Sequence, residues 1–209
     1  MLENFINAFA TLFVTIDPIG NVPIFMALIS AYPVAVQRAI TLRACLVSLI
    51  ILLVFAFIGS PLLTFLGISL PALQITGGVL LLLVAFDMVF ERRSARREQR
   101  AEETEPELDD WQSLAIFPLA IPMLAGAGAM TSLLVVTAGS PILSGSFAMS
   151  VIALLLVIGL FALLMFATIA LGDRINRQVY LVLTRVMGVI LAALSTQFII
   201  SGIQAAFGL

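Results

Sequence analysis

Apolar runs long enough to cross a hydrocarbon layer follow one another along this chain, separated by short polar punctuation. About 20 apolar residues cross a bilayer core. The first run extends from about residue 5 to 31. Residues 44 to 86 carry no charge, which is length for two crossings, near 40 to 60 and 69 to 90, with the turn between Gly59-Ser60-Pro61 and Gly67-Ile68-Ser69-Leu70-Pro71. A polar loop from Glu91 to Asp110 follows. Residues 111 to 172 are again uncharged and predict spans at about 111 to 137 and 147 to 171, around a turn at Gly139-Ser140-Pro141. The last span runs from about 179 to 206. The pattern predicts an all-α polytopic protein, with six transmembrane helices in a single membrane domain over residues 1–209.

Two of these spans are interrupted in a way that lipid does not favour. In the first, Asp17-Pro18-Ile19-Gly20-Asn21-Val22-Pro23-Ile24-Phe25 places an acid, an amide, a glycine and two prolines near the middle of an apolar run. A carboxylate at bilayer centre disfavours insertion by roughly 3 kcal/mol, so it implies polar surroundings. Each proline removes a backbone donor and crowds the preceding turn. The segment therefore reads as two half-helices meeting at an unwound joint, tolerated only where it is buried in protein or lines a cavity. Span four carries a second such cluster, Pro118-Leu119-Ala120-Ile121-Pro122 followed by Gly126-Ala127-Gly128, and its surplus length also points to a broken helix.

Charge sets the orientation. All ten basic residues are arginines. In a six-span arrangement Arg38, Arg43, Arg92, Arg93, Arg96, Arg97, Arg100, Arg174, Arg177 and Arg185 fall on one side. Basic excess marks the cytoplasmic face, so both termini are expected outside. Tyr32, Trp111 and Tyr180 fall at span ends on that same side and read as interfacial anchors. The loop from about 91 to 110 reads as a solvated charge run. With three spans before it (repeat one, about 5–90) and three after (repeat two, about 111–206), the halves enter from opposite sides, as inverted repeats do. Aligning Pro18 with Pro122, and Gly78 with Gly188, supports that repeat.

Composition agrees and excludes other chemistry. Hydrophobic residues make up 62% of the chain and charged ones 11%, with a mean hydropathy of +1.19. A chain so apolar is an integral membrane protein whose principal partner is the lipid bilayer. There is no histidine and no lysine, which removes the commonest metal ligand and the Schiff-base nucleophile. The lone Cys45 reads as a packing residue, and the first apolar run as a retained span rather than a signal peptide. No enzymatic site, metal or cofactor is expected, and no nucleic-acid partner. Asp17 with Asp87 is the sole acid pair an intramembrane protease could use, and Phe86-Asp87-Met88 lacks the glycine-flanked context of such enzymes.

The sequence Asp17-Pro18-Ile19-Gly20-Asn21-Val22-Pro23-Ile24-Phe25, together with Pro118-Leu119-Ala120-Ile121-Pro122, Gly126-Ala127-Gly128 and Arg185-Val186-Met187-Gly188, closely resembles the MarC family over nearly the whole chain. That family consists of bacterial and archaeal inner-membrane proteins, once linked by name to multiple antibiotic resistance. The resemblance implies six spans and kinship with proposed neutral amino-acid transporters in the plasma membrane. Gly126-Ala127-Gly128 departs from the family's Gly-Pro-Gly, which weakens the expectation of a sharp break at Ala127.

A solute site follows from the joints. A half-helix that starts inside the membrane presents N–H groups and a positive dipole end, which suit a carboxylate. Free carbonyls and Asp17 suit an ammonium group or a cation. The expected substrate-binding residues are Asp17, Pro18, Gly20, Asn21, Thr76, Pro122, Gly126, Gly128, Arg185 and Gln197. The expected function is secondary transport of a small polar solute, most of all a neutral amino acid, coupled to either a proton or sodium. A non-transporting membrane scaffold is the alternative, and self-association is left open. Asp17 before Pro18 also fits an N-cap followed by proline at the first helical position. Asn21 equally fits a group that satisfies the broken backbone. Gly77-Gly78 fits close helix contact, and Gln74, Thr76, Ser195, Thr196 and Gln197 either line a cavity or bond between helices.

Overall fold

A computed structural model of the chain describes residues 2–90, 111–137, 140–142, 144–171 and 177–208, the side chains of 177–181 excepted. The expected interhelical loop from about 91 to 110 lies outside the described residues, as do Asp173, Arg174 and the side chain of Tyr180. Everything regular among the described residues is helical. In chain order the helices are α1 (Leu2–Ile16), α2 (Pro18–Ile29), α3 (Val34–Phe65), α4 (Leu70–Val89), α5 (Trp111–Leu124), α6 (Ala127–Thr137), α7 (Gly145–Leu171) and α8 (Arg177–Phe207). Five stretches are long and apolar enough to cross a membrane, with α1 and α2 counted as one, and the bent pair α5–α6 makes a sixth if taken together.

The second span is longer than its apolar run suggests. α3 passes straight through Gly59-Ser60-Pro61 to Phe65, and the turn is confined to Leu66–Ser69. Gly67 adopts φ +69° there, and Ser69 caps α4 by accepting from the Ala72 N–H at 3.3 Å. The turn thus falls in the second part of the stretch expected to hold it, and Gly59 lies within helix, where a Cβ would strike the side chain of Leu134 on α6.

Packing divides the bundle in two. A large apolar core joins α1, α2, α3, α5, α6 and α7, with Leu12, Ile16, Phe25, Leu52, Leu119, Leu133, Leu154 and Phe161 wholly inside it. A smaller core, built on Leu81, Ala85, Met88, Leu191 and Phe198, joins α4 to α8. These two helices lie antiparallel at close range because glycines face the partner backbone. A Cβ on Gly78 would lie 2.7 Å from the Ser195 carbonyl oxygen, and one on Gly202 would lie 3.0 Å from that of Pro71. Gly188 faces Ala85, Met88 and Val89 in the same way. Small residues permit such approach in membranes, where dispersion rather than hydrophobicity drives helix association. Gly77 likewise abuts Thr131 on α6, so the Gly77-Gly78 pair is a packing element.

Contacts at the helix ends fix relative directions. Asn4 donates to Ser146 Oγ at 2.9 Å, joining the starts of α1 and α7. The Phe57 ring meets Phe147 at 5.1 Å, bringing the far half of α3 to the same end. Arg43, near the start of α3, lies 5.9 Å from the Trp111 ring centroid, which places the start of α5 at the opposite end. Tyr32 corrects an expectation. It is only 6% exposed, so its ring is packed inside the bundle rather than anchored at a headgroup layer. Its carbonyl accepts from Gln37 Nε2 at 2.8 Å, and the buried Gln37 thereby closes the turn between α2 and α3.

Candidate functional site

The break in the first span is a single residue rather than an unwound joint. α1 ends at Ile16, α2 begins at Pro18, and Asp17 alone takes left-handed angles, φ 50° and ψ 66°. Proline at the first helical position has no N–H to orphan. The Asp17 carboxylate folds over the new N-terminus, and its Oδ1 accepts from the Gly20 N–H at 2.9 Å. Gly20 has to be glycine for this to happen, because an added Cβ would coincide with the Asp17 carboxylate. The other side of the break is closed by Asn21, whose Nδ2 donates to the Ile16 carbonyl at 2.7 Å. Asp17 and Asn21 are 6% and 5% exposed. An acid, a glycine and an amide at this spacing thus pair the backbone groups that a left-handed residue in an apolar bundle would otherwise leave unmet.

The second break is made by prolines. Phe117 and Ile121, each preceding a proline, take extended angles of φ −129°, ψ 124° and φ −119°, ψ 123°. A proline ring pushes the residue before it out of the helical region. Both X-Pro peptides are cis. The backbone widens, Ala125 N–H donating to the Ala120 carbonyl five residues back at 2.9 Å, and α6 leaves at 53° to α5. A Cβ on Gly126 would strike the Pro122 carbonyl oxygen, so glycine fits the elbow. The break therefore stands at Ala125-Gly126, without a proline at Ala127.

Both breaks open onto one cavity of about 280 Å³. The first contributes Thr15, Ile16, Asp17 and Asn21, and the second Pro122, Met123, Gly126, Ala127, Gly128 and Ala129. Leu80, Leu81, Leu83 and Val84 of α4 complete the wall. Gly128 lets α6 come down on Leu81, whose side chain an added Cβ would meet. The polar groups of this wall are the Asp17 carboxylate, the Asn21 amide, the Thr15 hydroxyl, which donates to the Thr11 carbonyl at 2.9 Å, and backbone at the start of α6. The start of α6 lines the cavity and carries partial positive charge from its aligned peptides. At the start of α2, by contrast, the Gly20 N–H donates to the Asp17 carboxylate and the Asn21 N–H to the Asp17 carbonyl, so that end presents the carboxylate.

Five of the ten residues expected at a site are thereby brought together: Asp17, Asn21, Pro122, Gly126 and Gly128. Pro18 and Gly20 are buried behind them and shape the Asp17 cap. Three expected residues stand elsewhere. Thr76 is exposed on α4, its hydroxyl donating to the Ala72 carbonyl at 2.9 Å. Gln197 is exposed on α8 and donates to Ser201 Oγ at 3.1 Å. Arg185 is also exposed on α8. None of the three lines the cavity, because the glycine faces of α4 and α8 turn toward each other and leave these positions outward. Thr15, the four α4 residues and, beside expected positions, Ile16, Met123, Ala127 and Ala129 were not anticipated. The signal for Thr15 was present, a hydroxyl two residues before Asp17 in an otherwise apolar run. Asp87 does not line the cavity. Among the described residues no group of three histidine, cysteine or acidic side chains is placed to hold a metal ion.

Residues 2–207 match the family described as MarC family integral membrane protein. The chain is similar to a UPF0056 membrane protein of Methanocaldococcus jannaschii, 38% identical over 98% of both chains. It is also similar to the UPF0056 membrane protein of Aquifex aeolicus, 32% identical over 96% of this chain and 92% of that one. A third relative is the UPF0056 membrane protein YhcE of Escherichia coli, 32% identical over 95% of this chain and 91% of that one. No solved structure matches.

Proposed function

The chain belongs to the MarC family of multi-pass integral membrane proteins, and on that footing we propose that it is a secondary transporter of small polar solutes. The observation that carries the reading is the cavity in which the two interrupted helices meet, with Asp17 and Asn21 on one wall and Pro122, Gly126 and Gly128 on another. At about 280 Å³ it sits just under the roughly 300–1,000 Å³ of pockets for drug-sized ligands, a size suited to a metabolite of few heavy atoms. A carboxylate beside one helix start suits an ammonium group, and the backbone at the start of α6 suits a carboxylate. A neutral amino acid presents both. Pockets at the meeting of broken helices are how many carriers hold a solute halfway across.

In this reading the chain has six spans forming two inverted three-helix repeats. The packing supports that arrangement. α1 and α2 pack on α7, as α5 and α6 pack on α3, and α4 pairs with α8. Each pairing maps onto another, or onto itself, when the first half is exchanged for the second. The Arg43–Trp111 and Asn4–Ser146 contacts support entry of α1 and α5 from opposite ends. With the arginine bias, both termini lie outside a plasma membrane. Alternating access then consists of one half rocking against the other about the cavity, driven by a proton or sodium gradient.

One observation favours a scaffold instead: the hydrogen bonds of Asp17 and Asn21 described above go to backbone, so the break is satisfied without a ligand. Reconstitution in liposomes separates the two. Uptake of labelled small neutral amino acids by the wild-type protein is expected, with loss or uncoupling of uptake in Asp17→Asn, a substitution that keeps an N-capping side chain. Full uptake by that variant, with unchanged pH and sodium dependence, removes Asp17 from the mechanism. Silence of the wild-type protein in uptake, and in thermal-shift screens against amino acids, organic acids and small alcohols, favours the scaffold.

A further inference from the structure

Ser132 is singular among the described residues: its Oγ is the one buried side-chain oxygen or nitrogen without a hydrogen-bond partner. The residue is wholly buried on α6. A helical hydroxyl has an easy alternative, the carbonyl three or four residues back. Other hydroxyls in this bundle take it. Thr41 donates to Gln37, Ser48 to Ala44, Thr137 to Leu133 and Ser195 to Ala192, all at 2.7 to 2.9 Å. An unmet hydroxyl inside a core disfavours the fold, and alanine would occupy the place without that penalty. Such an orphan calls for a reason.

Its position supplies one. Ser132 follows Gly128 by four residues and Ala129 by three, so it stands on their face of α6, one turn further along. Gly128 and Ala129 form part of the cavity wall. We infer that Ser132 is a solute-contacting residue, whose hydroxyl bonds the bound metabolite from the α6 side once the two halves move apart and the cavity extends by a turn. The ligand class is a small zwitterion or hydroxylated metabolite with a donor or acceptor to spare. Ser132 then determines which solutes are accepted, since a site built to bond a polar group rejects the analogue that lacks it. This inference rests on the carrier reading.

The experiment compares wild type with Ser132→Ala in liposomes, and uses Ser132→Cys in a Cys45→Ala background for accessibility. The wild-type protein, whose Cys45 is only 5% exposed, is the separate control that a buried thiol stays unlabelled. Ser132→Ala is expected to melt at or above the wild-type temperature, to raise the apparent KM for solute between about three- and tenfold, and to keep Vmax, as loss of one solute hydrogen bond predicts. The cysteine at 132 is expected to react with a small membrane-impermeant thiosulfonate, and solute is expected to slow that reaction. An unchanged KM in Ser132→Ala overturns the inference, as does a fall in melting temperature, which would reveal a structural partner for the hydroxyl. Absence of uptake by wild type is a different failure and brings down the carrier reading itself.

Discussion

Gly20→Ala tests the architecture of the first break most directly. The added methyl would coincide with the Asp17 carboxylate, with Cγ only 2.6 Å and Oδ1 2.9 Å away. The carboxylate has to swing off the Gly20 N–H, which removes an N-cap valued at about 1 kcal/mol. The displaced acid, 6% exposed where it stands, also loses a charge-assisted hydrogen bond of roughly 1.5–3 kcal/mol. These two figures overlap, so the joint loss is about 2–3 kcal/mol. Alanine's better helix propensity returns about 1 kcal/mol. The expected net is a destabilisation of about 1–2 kcal/mol. Gly159 is the matched control: it lies inside α7, is exposed, and an added Cβ meets nothing within 4 Å. Gly159→Ala should therefore stabilise by up to about 1 kcal/mol. At roughly 2–4 °C per kcal/mol for a chain of this size, the two variants should melt several degrees apart on either side of wild type in detergent. If Gly20→Ala melts with Gly159→Ala, above wild type, the carboxylate does not cap α2 as described.

Asn21→Leu leaves the Ile16 carbonyl unpaired in an apolar bundle and should lower stability by about 1–3 kcal/mol, read as a drop in the denaturant midpoint in mixed micelles. Asp17→Leu removes the cap and puts a bulky side chain at φ 50°, where left-handed angles disfavour L-residues by roughly 1–2 kcal/mol, so it should fold far less well than Asp17→Asn on size-exclusion chromatography. Gly78→Ala drives a methyl toward the Ser195 carbonyl oxygen, 2.7 Å away, and should destabilise by about 1–3 kcal/mol, with faster amide exchange along α4 and α8 as the local readout.

Local chemistry was legible in the residues, and facing was not. Asp17 before Pro18 names its own role as cap, and the second proline cluster correctly announces a broken helix, because both effects act within a few residues of their cause. Which side of a long helix looks inward is a different matter. In a soluble bundle polarity marks the outer face, but lipid is as apolar as the core, so the pattern along α4 or α8 carries little of that information. Thr76 and Gln197 were therefore indistinguishable in sequence from cavity residues, and Tyr32 from an interfacial ring. Gly77 and Gly78 were the better guide, since a glycine marks where another backbone comes close. Gly20 fits the same rule at shorter range, its missing side chain leaving room for the acid three residues earlier.

The hydrogen bonds of Asp17 and Asn21 to backbone at the break do not by themselves favour a static scaffold. A kink alone needs no acid, since a proline bends a transmembrane helix and neighbouring groups re-satisfy the backbone. Here the interruption uses a left-handed aspartate, a conformation that disfavours the fold by about 1–3 kcal/mol and persists only where its surroundings over-determine it. The surroundings do so, through Gly20 beneath the carboxylate and Asn21 across the gap. What this arrangement achieves, and a simple proline bend does not, is a carboxylate held in one place on the wall of a cavity that a second broken helix also lines. Rigid support of a charged group is what a binding site requires, because a solute gains nothing from an acid that must first be ordered. In the proposed carrier the internal bonds of Asp17 and its place on the cavity wall act together, and the Asp17→Asn variant, which keeps the first and removes the charge, is the substitution that separates them.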